Sequence, residues 1–401
     1  MPRYELDGET WEIVQEAQLL HLDASGKQTT RKFVSPDHAS VQYTKLIAAK
    51  EAVGWKQVAG APVSRGARSE VDEPREPSLE QHIIASLDDR DAYAVYGDWY
   101  QTRQHPRGEL IALQLAEETR GEDRKLHDVV VKHLARYKAD LLGPLARHVA
   151  SNGQSPFVWR NGFIQGLIFI GDDERPADII RDVLKHPSGR FLTSLELQLH
   201  DGNAICDALA ELRGARATMR DVHVRTGAML AGLDVFTDMP QLRTLSIATL
   251  AEIALAKGEM RAFAKLPASL EALHLRLGGT DRESWDELAP LFARDDLDIR
   301  KLSVRVPSLI DRILTAITEG PFARRVEELD FAFTDPDAGM RAFLANRERF
   351  VKLVEVTASL DRITLEARNG LKTFKKVVDL RWDDLPELIG YDEDHFDEVQ
   401  E

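Results

Sequence analysis

The residue types able to do chemistry recur at matched offsets in the second half of this chain. His223 and Arg225 alternate with Val222 and Val224, and His274 and Arg276 alternate with Leu273 and Leu275. Arg305 takes the place of Arg225 after Val304, and Glu196 takes the place of His223 between Leu195 and Leu197. A guanidinium offers a planar, permanently charged fork suited to carboxylate or phosphate, so aligned arginines suggest recognition of an acidic partner. Arg225, Arg276, Arg305, His223, His274 and Glu196 are therefore the candidate partner-binding residues.

Catalysis, metal and cofactor binding find no comparable grouping. Leu277-Gly278-Gly279-Thr280 lacks the Gly-Lys-Ser/Thr that completes a phosphate loop, and neither His-Glu-x-x-His nor Gly-x-Ser-x-Gly occurs. His127 and His133 are six apart on an expected helix and share no face, so each is read as a surface histidine. Asp335-Pro-Asp-Ala-Gly339 lacks the further oxygen ligands of a calcium loop and is read as a turn. Cys206 is the only cysteine, which excludes an intramolecular disulfide and a cysteine-rich zinc site, and its helical phase suggests a core thiol. The expectation is a non-enzymatic protein with no cofactor.

The elements that must position these side chains are legible as a repeat. Nine segments carry an apolar residue, another three positions on, and a third two further. They are Ile164/Leu167/Phe169, Leu192/Leu195/Leu197, Met219/Val222/Val224, Leu242/Leu245/Ile247, Leu270/Leu273/Leu275, Ile299/Leu302/Val304, Val326/Leu329/Phe331, Val351/Val354/Val356 and Lys375/Val378/Leu380. First positions are separated by 28, 27, 23, 28, 29, 27, 25 and 24 residues, the period range of leucine-rich repeats, each a short strand plus a helix. Helical periodicity follows in Ile179/Ile180/Val183/Leu184, Trp285/Leu288/Leu291/Phe292 and Leu309/Ile313/Leu314/Ile317. The asparagine that often follows the strand is missing, with His200 and Gly278 in such places. Residues between the buried ones would face outward from a parallel sheet, Ala332 among them, and nine strands would present a polar strip about 40 Å long.

Composition bounds the rest. The length of 401 residues allows two or three domains, and 43% hydrophobic with 30% charged residues is globular. A net charge of −15 repels duplex DNA and anionic membranes as a whole-molecule field. The first residues, MPRYELDGETWE, carry no signal sequence and no apolar run approaches a membrane span, which predicts a cytoplasmic protein. Residues 1–59 form a first unit, with strands around Trp11, Ile13 and Val14, turns at Asp7–Gly8 and Ser25–Gly26, and a helix opened by Ser35-Pro36-Asp37 and stopped at Gly54. Residues 60–78 read as a linker, 79–150 as a helical unit and 151–385 as the repeat solenoid. Residues 386–401 form an acidic tail, within a stretch after Arg381 that has nine Asp or Glu and no Lys or Arg.

Two resemblances sharpen the first half. Tyr4-Glu-Leu-Asp-Gly, Trp11-Glu-Ile, Gly26-Lys-Gln-Thr-Thr-Arg-Lys-Phe33, Tyr43-Thr-Lys-Leu-Ile-Ala-Ala-Lys50 and Gly54-Trp-Lys-Gln-Val58 together resemble a WGR domain, the small module of poly(ADP-ribose) polymerases and of bacterial proteins. The signature Trp-Gly-Arg falls on Leu19-Leu20-His21, so the fork that helps that family grip DNA ends is absent. Lys27, Arg31, Lys32, Lys45, Lys50 and Lys56 are offset by eight acids in the same unit. Asp88-Asp-Arg-Asp-Ala-Tyr-Ala-Val-Tyr-Gly-Asp-Trp-Tyr100 and His105-Pro-Arg-Gly-Glu-Leu-Ile-Ala-Leu-Gln114 resemble the bacterial repeat-companion domain, which commonly precedes leucine-rich-type repeats. That resemblance implies a helix–turn–helix in which Asp98 and Arg107 are candidates to pair, and a helical unit capping the solenoid's first edge.

The expected fold class is α/β: a leucine-rich-repeat-like solenoid preceded by a small α+β WGR-like domain and a helical capping unit. The expected function is a protein–protein scaffold or adaptor binding its partner along the strand face. The alternative is a nucleic-acid-binding regulator acting through the WGR-like domain.

Overall fold

The computed structural model describes residues 73–380, apart from 122, 150–154, 172–174, 250–254, 279 and 281–283, together with the backbone of five strands before residue 59. The chain divides into two compact units, Met1–Asp72 and Glu73–Glu401. In the first, β1 (Arg3–Leu6), β2 (Glu9–Glu16), β3 (Leu19–Ala24), β4 (Lys27–Lys32) and β5 (Lys56–Val58) form an antiparallel sheet in the order β4-β3-β2-β1-β5. The expected turns at Asp7–Gly8 and Ser25–Gly26 lie outside the described residues. The expected helix ending at Gly54, the linker up to residue 72 and the acidic tail lie outside the described residues.

The second unit opens with α1 (Pro77–Ala85), α2 (Arg90–Gln101), α3 (Pro106–Arg120), α4 (Arg124–Arg136) and α5 (Lys138–Leu142). Their starts are chemically marked. Pro77 and Pro106 bring no N–H into a first turn that cannot use it, while the Asp89 and Asp123 carboxylates accept backbone N–H groups of α2 and α4. Gly121, at φ 71°, ends α3 in a conformation that strains other residues.

The helices and the repeats share one compact unit because they share a core. Tyr93, Tyr96 and Tyr100 of α2 pack with Phe163 and Phe191, which immediately precede or open repeat strands. The Tyr96 and Phe163 rings stack at 5.9 Å, and Phe191 meets Phe163 edge-on at 4.7 Å.

The repeats build a ten-stranded sheet in sequence order from β6 to β15. The strands are β6 (Phe157–Arg160), β7 (Phe163–Ile170), β8 (Ser194–Gln198), β9 (Asp221–Thr226), β10 (Thr244–Thr249), β11 (Ala272–Leu277), β12 (Lys301–Arg305), β13 (Glu328–Asp330), β14 (Glu355–Ala358) and β15 (Lys376–Asp379). All neighbours from β7 onward pair in parallel, and β6 alone is antiparallel, folded back on β7 through Asn161–Gly162. Both turn residues have positive φ, 50° and 80°, as a tight hairpin turn requires. A Cβ on Gly162 would lie 2.3 Å from an Ile111 side-chain carbon, so the site admits only glycine.

The register places Leu167, Leu195, Val222, Leu245, Leu273, Leu302, Leu329, Val356 and Val377 in one column. Seven units keep the sequence alignment and two do not. Leu329 pairs with Val356, so the eighth unit is Leu353/Val356/Ala358, leaving Val351 75% exposed and Val354 on the surface. The ninth shifts by one, with Val377 rather than Val378 beside Val356. Behind the sheet lie α6 (Pro176–Lys185), α7 (Gly202–Glu211), α8 (Trp285–Phe292), α9 (Ile310–Glu319), α10 (Ala338–Ala345) and α11 (Leu365–Leu371). The units after β9 and β10 return through 3-10 turns, Leu233–Asp238 and Glu259–Lys265, and show no α-helix among the described residues.

Backbone carbonyls link successive units ahead of each strand. The carbonyls of Thr193, Arg220, Arg243, Glu271, Arg300 and Glu327 each accept two N–H groups from the next unit, at 2.7–3.1 Å. These bonds run along the sheet just before each strand, fixing the register unit by unit.

Candidate interaction surface

The three arginines align as the spacing predicts. Gln198, Arg225, Ala248, Arg276 and Arg305 are register partners across β8 to β12. A second row runs Glu196, His223, Ser246, His274, Ser303 and Asp330. Side chains in both rows alternate with the buried column, so they share the sheet's outer face. His223 is exposed, whereas Glu196, Arg225, His274, Arg276 and Arg305 are half-buried rather than fully solvated. The arginine row spans five adjacent strands, about 19 Å, while the second row runs on through Asp330 to Thr357. Ala332, expected to face outward, is buried, and Phe333 turns into the left-handed region at φ 62°. Its N–H donates to Ser359 Oγ at 2.9 Å and its ring lies 5.0 Å from the Arg305 guanidinium.

Charge on this face is uneven. Arg305 is paired with Asp330 at 2.7 Å, and Ser303 Oγ donates to the same carboxylate. Lys301 pairs with Glu328 and Lys376 with Glu355, so the row nearest the strand starts neutralises itself. Glu196 accepts from the Gln198 side chain. Burial, followed by the proximity of His223, pulls the His274 pKa below its ordinary value and favours the neutral ring. On β9 to β11 the two outer rows contain two arginines and two histidines and no acid, with small Ser246 and Ala248 between them. The register thus brings two arginines and two histidines onto β9 and β11, within a chain of net charge −15.

A second polar cluster is buried and does different work. Arg107 and Glu73 side chains are both 0% exposed and pair bidentately, at 2.8 and 2.5 Å. Arg107 also donates to Ser188 Oγ at 2.8 Å and to the Gly162 carbonyl, so its whole fork is used. Tyr100 donates to Glu73, Tyr96 donates to Glu80, and Arg190 pairs with Glu80. Arg107 is thus joined to Glu73, in the segment read as linker, and not to Asp98, which faces solvent on α2. The pairing across the turn fails because Arg107 points under the β6–β7 hairpin. These contacts tie the segment before α1, helices α2 and α3 and the first repeats together.

The remaining candidates resolve individually. His127 pairs with Glu117 at 2.7 Å, whereas His133 is buried, with Nε2 2.9 Å from the Pro106 carbonyl, so it is not a surface residue. Cys206 is half-buried and its thiol donates to the Ala231 carbonyl at 3.4 Å. Asp335 and Asp337 precede α10, and the Asp337 N–H donates to Asp311. Among the described residues no helix is long and apolar enough to cross a membrane, and no three His, Cys, Asp or Glu are grouped to hold a metal ion.

No protein-family model matches the chain, and no curated protein matches it in sequence. Among solved structures it is similar to a crystal structure of a Bacteroides fragilis protein, at 12% identity and a TM-score of 0.36, over 94% of this chain and 96% of that one. A likeness at that score transfers neither fold nor function.

Proposed function

We propose that this chain is a non-enzymatic scaffold or adaptor, at work in the cytoplasm, that holds a protein partner with an acidic surface along the strand face of its repeats. The observation carrying this reading is the alignment of Arg225, Arg276 and Arg305 in one register row across β9 to β12. Such a patch steers an acidic partner and orients it on arrival. The architecture favours it too, since a run of stacked strand units offers one continuous face for holding another chain. The reading extends to a WGR-like module in residues 1–59, for which the antiparallel sheet is supporting, with DNA binding set aside because Leu19-Leu20-His21 replaces the signature. Residues 79–150 are read as a repeat-companion unit serving as the solenoid's helical cap.

The test is quantitative capture from cells of the native host, comparing the parent with Arg225→Ala/Arg276→Ala. Loss of one or two desolvated arginines at an interface is worth roughly 2 kcal/mol or more, so retention of the specific partner is expected to fall about 30-fold or further. Thermal unfolding should move by no more than a few degrees. Equal retention by parent and variant would remove this face from the function.

A further inference from the structure

We infer that residues 382–401 of this chain dock on a basic rim of its own last three repeats, around the exposed Val351. This goes beyond the strand-face reading and does not depend on it. The rim is formed by the turns that lead into β13, β14 and β15. Residues 320–327, 346–354 and 370–375 hold seven Arg or Lys and two Asp or Glu. Leu329, Val356 and Val377 are register partners, and the residues five before them are Arg324, Val351 and Lys372. The last two turns match in backbone as well: the Leu353 N–H donates to the Phe350 carbonyl, and the Phe374 N–H to the Leu371 carbonyl. Val351, 75% exposed, thus stands between two cations. Side chains stitch the turns together. Arg347 donates to Thr373 Oγ at 3.5 Å in the next unit, and Arg349 donates to the Glu319 carbonyl at 2.9 Å in the one before.

The rim is short of acids. Arg324, Lys352 and Lys375 are exposed and form no ion pair among the described residues, unlike Lys376, which Glu355 holds at 2.6 Å. Glu348 is the only exposed acid on these turns. An exposed valine among such cations suits a ligand that mixes apolar side chains with carboxylates. The chain itself supplies one. Residues 382–401 carry nine Asp or Glu and no Lys or Arg, with Leu388, Ile389, Tyr391 and Phe396 among them. β15 runs away from the rim, so the chain leaves Leu380 about 17 Å beyond Lys375, and roughly five extended residues cover the return. Tyr391 and Phe396, with Asp392, Glu393 and Asp394 between them, therefore reach Val351 and its cations. Tethering raises the local concentration of this segment to about the millimolar range, so it displaces a foreign acidic peptide of like affinity.

The purified full chain with a photoreactive residue replacing Glu348 tests this, because that position lies on the rim and leaves Val351 and the cations intact. Irradiation should join position 348 to residues 382–401 within one molecule, read by peptide mass spectrometry, at a yield independent of protein concentration. Arg324→Glu/Lys352→Glu/Lys375→Glu should lower that yield about tenfold, since three attractive surface pairs become repulsive. Val351→Ser should lower it as well. Thermal unfolding of both variants should match the parent, all four side chains being exposed. No crosslink to residues 382–401, or a yield unmoved by the charge reversal, overturns the inference. Crosslinks found only between isotopically distinct copies would assign the segment to a second molecule and also overturn it. Adducts to the same residues from a probe at Ser246, with none from position 348, would place the segment on the strand face and refute the rim.

Discussion

Leu273→Asp is expected to unfold the central repeats. Leu273 is fully buried on β11, in register between Leu245 and Leu302, with helices and turns behind it. Removing the leucine forfeits about 2–3 kcal/mol of apolar burial. Placing a carboxylate there adds several kcal/mol, since nothing nearby can pair with it. The sum rivals the roughly 5–15 kcal/mol that holds a domain together. Damage should spread, because each unit is stabilised chiefly by its neighbours. Circular dichroism and urea unfolding would show it as a lost or strongly lowered transition. The same experiment fixes the register of the eighth unit: Val356→Asp should behave like Leu273→Asp, whereas Val351→Asp should change stability by no more than about 0.5 kcal/mol because Val351 is solvent-facing.

Glu73→Ala is expected to destabilise the second unit by about 3–5 kcal/mol, the penalty for stripping one partner from a buried ion pair. Without Glu73, the Arg107 and Arg190 guanidinia face one another with less counter-charge. The pair also predicts acid sensitivity. Burial would raise the Glu73 carboxyl, but the charge and hydrogen bonds of Arg107, with Arg190 and Tyr100, override it and lower its pKa from about 4.5 to about 2. The depressed folded value means this stability is complete above pH 4.5 and is lost as pH falls towards 2, about 3 kcal/mol in all. His186 acts in a higher window. Burial first, and then Arg107, depress its pKa from 6.5 to about 4, so below pH 6.5 the unfolded chain takes up a proton that the folded one refuses. Urea unfolding against pH should therefore show stability falling from about 6.5 to 4 and again from about 4.5 to 2, with Glu73→Gln losing only the lower component. An identical pH profile in that variant would place the acid sensitivity elsewhere.

The column from Leu167 to Leu329 was legible because leucine or valine at each central position leaves little choice of alignment. It failed at the eighth unit because Val351/Val354/Val356 and Leu353/Val356/Ala358 satisfy the same spacing, and only pairing with Leu329 separates them. The outer rows followed from the column by alternation, so Arg225, Arg276 and Arg305 fell into place, but their partial burial and the Arg305–Asp330 pair did not. β6 has no place in the repeat pattern, although Asn161–Gly162, with Val158 and Trp159 before Arg160 and Phe163 and Ile164 after, is a strong hairpin signal. The buried ion pair was out of reach, since Glu73 sits in a segment without periodicity, 34 residues from Arg107. A hint was available in Tyr96 and Tyr100, whose hydroxyls need partners once one face of α2 is buried.

The claim that the strand face holds the partner is tested most directly by photo-crosslinking in the native host. A photoreactive residue replacing Ser246 lies between His223 and His274 in the register, at the centre of the basic rows. One replacing Arg181 lies on α6, on the helical side. A discrete adduct with an acidic protein from position 246, absent from position 181, is the expected result. An adduct from position 181 alone would contradict the account and move the binding surface to the helices.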